Sequence, residues 1–227
     1  MVTLIGLATF HDFMRRSNRN LVWTGYAHGW LFASGLWFCA GLRLLASLAG
    51  WMAVDRGLFY LDQCFLALQL VANNLFVSAR LFSDRRRIKF LVAFTILSQA
   101  VFLILLFSLG ITKTEHTAWA SEHELPRAAF LSFLVGYALC IGLVLYGIIK
   151  DVVERWRRGS WGNADYTLAT ASLGVYGLAG IADVRGILAG GGLLLIRLLY
   201  LVAVLTAFWI ARSDRSRIKL IRPGKDA

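Results

Sequence analysis

Six hydrophobic runs of roughly bilayer length divide this chain, and its basic residues fall in alternate gaps between them. The runs cover about 21–48, 57–82, 90–111, 128–149, 166–182 and 187–211. About 20 apolar residues are enough for a helix to cross the hydrocarbon layer. Basic clusters lie at 83–89, 150–158 and 212–227, whereas the other gaps, at 55–56, 112–127 and 183–185, are short or acidic. Lys and Arg near span ends stay cytosolic, so the pattern predicts six spans with both termini in the cytosol.

The composition leaves no room for a second folded domain. The chain has 227 residues, of which 58% are hydrophobic, and its mean hydropathy is +0.64. We therefore expect an all-α, polytopic helical membrane protein that forms one domain over 1–227. It would comprise an amphipathic N-terminal segment at 1–20, a transmembrane region at 21–211 and a basic cytosolic tail at 212–227. A second amphipathic segment at 148–158 is expected to lie along the cytosolic headgroups, because its charged and apolar residues fall on opposite helix faces.

The net charge of +11 points to a membrane surface as a partner. The basic residues stand beside hydrocarbon-length runs, where each contributes about 1 kcal/mol of attraction to anionic headgroups. We therefore expect anionic lipid to be the partner and expect no binding of nucleic acid.

Three charges are notable within the hydrophobic runs, where an unpaired charge is costly. Arg43 and Asp62 fall at similar depth in neighbouring spans, which predicts an ion pair between them. Arg197 falls near mid-membrane, where Gln69 or Asn73 of the second span would meet it. These five residues are consistent with structural contacts between helices, and also with a polar pathway or small-solute site between spans two and six.

Small residues concentrate in the last two runs, and small residues allow membrane helices to approach closely. This pattern predicts tight packing of spans five and six, either as a hairpin or across a dimer, and a homo-oligomer is expected. The residues concerned are Gly174, Gly177, Gly180, Gly186 and Gly190.

The sequence offers no recognisable catalytic or metal-binding motif. It has no nucleophile elbow, P-loop or HExxH sequence. Cys39, Cys64 and Cys140 have no CxxC spacing, and His28 is the single histidine within a run, so a bis-His haem site is not indicated. We expect a protein that is not an enzyme and that carries no cofactor and no metal.

Three stretches together resemble the peroxin-11 family, which includes related glycosomal membrane proteins. The N-terminal stretch 10–20 is similar to the family's Phe-containing signature that ends in a basic residue. The stretch from Leu58 through Arg87 resembles its central segment, in which an aromatic-Leu-x-Asp helix leads to a basic turn. The Gly-rich end from Gly174 to Leu205 is like its C-terminal hairpin.

The resemblance implies a peroxisomal or glycosomal membrane protein that remodels the organelle membrane during elongation, proliferation and fission. Fission machinery would be a further partner. The membrane-interface residues would be Phe10, Phe13, Arg19, Trp156 and Arg157. The alternative that the residues leave open is a bacterial inner-membrane protein, either a small transporter or channel subunit or a membrane sensor domain.

Overall fold

The computed structural model describes residues 2–16, 21–116, 121–158, 165–184, 198–206 and 209, and these residues form a helical bundle with one small β-hairpin. The helices are α1 (Val2–Arg16), α2 (Leu21–Leu48), α3 (Met52–Leu81), α4 (Arg85–Leu109), α5 (Arg127–Arg158) and α6 (Asp165–Val184). Residues 198–206 are also helical. The hairpin strands are β1 (Lys113–His116) and β2 (Ser121–Glu124).

Four of these helices are long and apolar enough to cross a membrane. They are α2, α3, α4 and the Arg127–Glu154 part of α5, whereas the apolar part of α6, Thr167–Leu178, is shorter. The first four predicted spans therefore correspond to helices of spanning length and composition. The fifth overlaps α6, and 187–197 of the sixth lies outside the described residues, so the last two spans stay predictions.

The helix ends follow from local chemistry at tight connections. Gly50, with a φ of 73°, lies in the short turn between α2 and α3, and Gly110, with a φ of 72°, ends α4. Glycine adopts this left-handed conformation without a steric penalty. At the start of α4 the Asp84 carboxylate accepts a hydrogen bond from the Arg86 backbone N–H at 2.9 Å, which caps the helix.

Two clusters of buried side chains form the core. The first contains Tyr26, Trp30, Phe76, Val144 and Tyr176, and it joins α2, α3, α5 and α6 with the segment 198–206. The second joins α3, α4 and α5 around Phe59, Leu70, Phe102, Phe133 and Tyr137. Between α2 and α3 the backbones come close at Gly25, where an added Cβ would lie 2.6 Å from the backbone nitrogen of Phe76.

Both amphipathic segments are helical. Helix α1 packs antiparallel along α2: Gly6 lies against Ser34, and the rings of Phe10 and His28 are 5.5 Å apart. It therefore packs on α2, while its Leu4 and Leu7 side chains are exposed. The segment 148–158 continues α5 without a break to Arg158, as expected for an extension of the fourth span, and its position along the headgroups stays a prediction.

Two features at the other end of the bundle were not predicted from the sequence. The stretch 112–127, expected to be a loop between spans, contains the hairpin, in which Thr114 is paired with His123. Asp55, assigned from sequence to a gap between spans, lies in the first turn of α3 and is fully buried. We call this end, with the Gly50 turn and the hairpin, the hairpin end of the bundle.

Candidate functional site at the hairpin end

A buried ion network joins α2, α3 and the hairpin. Asp55 and Asp62 lie two turns apart on one face of α3, and this spacing lets both carboxylates face Arg43 of α2. Arg43 Nε donates to Asp55 Oδ1 at 3.2 Å, and Arg43 Nη1 donates to Asp62 Oδ2 at 3.3 Å. One guanidinium therefore bridges two carboxylates through separate nitrogens.

His123 connects the hairpin to this network. Its Nε2 is 2.8 Å from Asp55 Oδ2, and its Nδ1 is 3.0 Å from the Thr114 hydroxyl. The neutral tautomer with its proton on Nε2 satisfies both contacts, because Nε2 donates to the carboxylate and Nδ1 accepts from the hydroxyl. The His123 and Asp55 side chains are 2% and 1% exposed, so this contact is shielded from solvent.

Phe59 forms an aromatic wall beside the charged groups. The Arg43 guanidinium carbon is 4.9 Å from the centre of the Phe59 ring. The His123 ring meets the same ring edge-on, with centroids 4.8 Å apart. A guanidinium over an aromatic face is stabilised by the ring's quadrupole, so Phe59 helps to hold Arg43 between the carboxylates.

Burial lowers the pKa of His123 below its ordinary value, because the charged imidazolium would lose its hydration. The hydrogen bond and the charge of Asp55 oppose this effect, while the positive charges of Arg43 and Arg56 act in the same direction as burial. The net direction is downward, which favours the neutral imidazole. The contact between the hairpin and α3 is therefore a titratable one.

The opposite end of the bundle has its own ion pair. Arg80 near the end of α3 pairs with Asp151 of α5 and donates a hydrogen bond to Thr170 of α6. Thr167 donates to the same Asp151 carboxylate at 2.6 Å. These contacts join α3, α5 and α6. Sequence analysis placed Asp151 on the solvated face of an amphipathic segment and missed this pairing.

Polar side chains without partners lie in the middle of the bundle. Within the described part of the chain, six buried side chains have polar atoms with no hydrogen-bond partner: Trp30, Gln63, Gln69, Asn73, Gln99 and Tyr137. Gln99 is 2% exposed and lies next to Gly136, where an added Cβ would be 2.5 Å from its Nε2. An unpartnered buried polar group costs about 1–3 kcal/mol, so these positions are candidates for bound water or a polar solute.

The structure brings some of the predicted residues together and separates others. Arg43 and Asp62 form the ion pair described above. Gln69 and Asn73 lie in the middle of α3, where the Asn73 amide oxygen faces Gly29 of α2. Arg197, their expected partner, lies outside the described residues. The prediction of contact between it and α3 stays a prediction.

Two of the predicted packing glycines, Gly174 and Gly177, lie against α5, whereas the sequence predicted packing between spans five and six. Added Cβ atoms would come within 3.0 Å of Val144 at Gly174 and within 2.9 Å of the Tyr137 hydroxyl at Gly177, so both face α5. Gly180 lies further along α6. Gly186 and Gly190 lie outside the described residues.

The predicted interface residues occupy different environments. Phe10 packs against α2, and Phe13 follows it in α1. Trp156, with 82% of its surface exposed, and the exposed Arg157 lie near the end of α5. Arg19 lies outside the described residues.

Sequence reasoning missed two residues of the network, Asp55 and His123. The spacing of Asp55, Phe59 and Asp62 matches one helix face and could have identified the first. No local signal marks His123, because its partners come from a strand pairing and from α3.

The described residues contain no group of three or more metal-ligating side chains arranged to hold a metal ion. Compared with known protein families, curated proteins and solved structures, the chain matches none. Its function is therefore argued from the hairpin-end network and the helices connected to it.

Proposed function

We propose that this chain is a non-enzymatic membrane sensor domain that responds to protons at its hairpin end. The observation that carries the proposal is the docking of His123, a titratable group on a small hairpin, onto Asp55 of the ion network. A histidine has an ordinary pKa of about 6.5, so small changes in environment shift its charge within the physiological range. If the basic clusters are cytosolic, as the charge pattern predicts, the hairpin faces the other side of the membrane.

Helix α5 connects the hairpin to the opposite end of the bundle. The hairpin is followed by α5, which runs without interruption from Arg127 to Arg158. At about 1.5 Å per residue, Arg127 and Asp151 are separated by about 36 Å along the helix. Asp151 is the residue that pairs with Arg80 and Thr167. A change in hairpin docking therefore has a rigid element through which to alter the second ion pair.

The sign of the pH response follows from the His123 pKa. Docking lowers this pKa, so the released hairpin binds a proton more readily than the docked one. The docked state is fully favoured above the ordinary pKa of about 6.5, and it loses stability as the pH falls below that value. Acid on the hairpin side therefore releases the hairpin.

A label at the far end of α5 tests whether this release is transmitted. Trp156 is exposed, so a fluorophore on Trp156→Cys should leave packing unchanged. The half-buried Cys64 is replaced by Ala to prevent its labelling, and the buried Cys39 and Cys140 are kept. In nanodiscs, lowering the pH from about 7.5 to 5.5 spans the ordinary histidine pKa and should change the label's emission reversibly. His123→Gln in the same background should abolish the change. An identical pH response in His123→Gln would contradict the proposal.

A second function, passage of a small polar solute, is favoured by the unpartnered side chains in the middle of the bundle. Replacing Gln99 by Leu should abolish solute flux into proteoliposomes while leaving the protein folded, because it removes two unpartnered polar atoms from an apolar setting. Flux of a panel of small polar solutes would be measured, with exposed Ser108→Ala as the control. Flux that is the same in Gln99→Leu and the control would exclude this function.

Membrane remodelling, the function implied by the peroxin-11 resemblance, stays a prediction together with the peroxisomal location and the fission partners. It depends on two amphipathic helices that wedge into one leaflet. Tubulation of anionic liposomes by the purified protein would support remodelling, and unchanged spherical vesicles at high coverage would count against it.

A further inference from the structure

An open cleft lies where α3 ends and α4 begins, at the end of the bundle opposite the hairpin. Its volume is about 420 Å³, and it is lined by Phe82, Arg86, Arg87, Phe90 and Leu91. Arg86, Arg87 and Phe90 are exposed, whereas Phe82 and Leu91 are half-buried. The cleft therefore combines an apolar wall with two guanidinium groups on consecutive residues.

The position of the cleft matches the boundary between hydrocarbon and headgroups. It lies in the first two turns of α4, a helix of spanning length whose later residues are strongly apolar. Arg86 and Arg87 come first along α4, and Phe90 and Leu91 of the apolar wall follow one turn deeper. A phospholipid has the same order, with its phosphate above its acyl chains.

The electrostatics of the cleft favour an anion. Arg86 and Arg87 stand in the first turn of α4, where the helix dipole is positive. Among the described residues, Arg87 pairs with the carboxylate of Asp84, whose Oδ2 is 3.6 Å from Arg87 Nε. The Arg87 side chain is 72% exposed and the Asp84 side chain is 50% exposed. An exposed pair of this kind is weak, so Arg87 is available to a phosphate.

We propose that this cleft is a binding site for an anionic phospholipid. The phosphate would lie between Arg86 and Arg87, since guanidinium groups bind phosphate through parallel hydrogen bonds. One acyl chain would lie on Phe82, Phe90 and Leu91. The apolar wall is the reason for choosing a lipid over a soluble phosphate, which would leave that wall in contact with water.

Lipid binding to matched variants tests the site. The full chain in detergent would be offered phosphatidylglycerol or phosphatidylcholine with identical acyl chains, and bound lipid would be counted by native mass spectrometry. Arg86→Gln/Arg87→Gln should weaken phosphatidylglycerol binding about ten-fold or more, because two charge-assisted contacts are lost. The control Arg85→Gln/Lys89→Gln removes the same charge from residues that do not line the cleft, and binding should change less than about three-fold.

Three results would overturn the proposal. Equal losses in the two double variants would indicate diffuse attraction to headgroups. Equal binding of phosphatidylcholine and phosphatidylglycerol to the unmodified chain would exclude recognition of the anionic headgroup. Displacement of the lipid by soluble glycerol phosphate at equal concentration would show that the apolar wall contributes nothing. Thermal melting of each variant confirms that losses reflect binding, because Arg86 and Arg87 are exposed and their replacement should not alter folding.

Discussion

Replacing Arg43 by Gln should destabilise the folded bundle by about 3–5 kcal/mol, because removing one partner of a buried ion pair leaves uncompensated charge. Asp55 and Asp62 both bind this guanidinium, and their side chains are only 1% and 11% exposed. Without Arg43 the two carboxylates share one buried site. The expected result is a large fall in the melting temperature of the purified protein, measured by loss of its monodisperse chromatographic peak after heating.

Two further variants distinguish loss of this pairing from general damage. Arg56→Gln removes a neighbouring charge that is exposed, and it should change stability by no more than about 0.5 kcal/mol. Arg43→Gln combined with Asp62→Asn and Asp55→Asn removes the whole charged set, and it should recover much of the lost stability. If the triple variant is as unstable as Arg43→Gln alone, the ion network is not the reason for the loss.

Replacing Gly25 by Ala should cost about 3 kcal/mol, at the upper end of overpacking effects. The added Cβ would lie 2.6 Å from the Phe76 nitrogen, 2.9 Å from the Phe76 Cα and 3.0 Å from the Ala72 carbonyl oxygen. These are backbone atoms, so they can move only if α2 and α3 separate. Melting temperature and expression level in membranes would both be expected to fall.

Gly41 supplies the matched control on the same helix. A Cβ added at Gly41 meets no atom within 4 Å. Gly41→Ala should therefore be neutral or slightly stabilising, because Ala is the better helix former by about 1 kcal/mol. Equal destabilisation by the two substitutions would contradict the close approach of α2 and α3 at Gly25.

Hydrophobic run length was sufficient to predict the first four spans and the depth match of Arg43 and Asp62. Each of these features depends on residues close together in the sequence or on simple counting along a helix. The position of Asp55 was predicted wrongly because an Asp-Arg pair between two apolar runs has the composition of a solvated turn. Its burial depends on contacts from Arg43 and His123, which a local pattern does not contain.

The hairpin and the far ion pair were missed for a related physical reason. The strands Lys113–His116 and Ser121–Glu124 are polar throughout, so they lack the apolar alternation that predicts a strand. Arg80 and Asp151 meet through the packing of α3 on α5. For a charged side chain near a helix end, the sequence does not distinguish a partner on a neighbouring helix from a headgroup or water.

A double-mutant cycle at His123 and Asp55 measures how strongly their contact holds the hairpin on α3. Asp55→Ala leaves the Arg43–Asp62 pair in place, and His123→Ala removes the hairpin's contact with α3. Amide hydrogen exchange of residues 113–116 and 121–124 would report hairpin opening at pH 7.5 in the single and double variants. We expect a coupling energy of about 1–2 kcal/mol between the two substitutions. Additive effects, with a coupling close to zero, would show that the hairpin is held by other contacts and would contradict the sensor proposal.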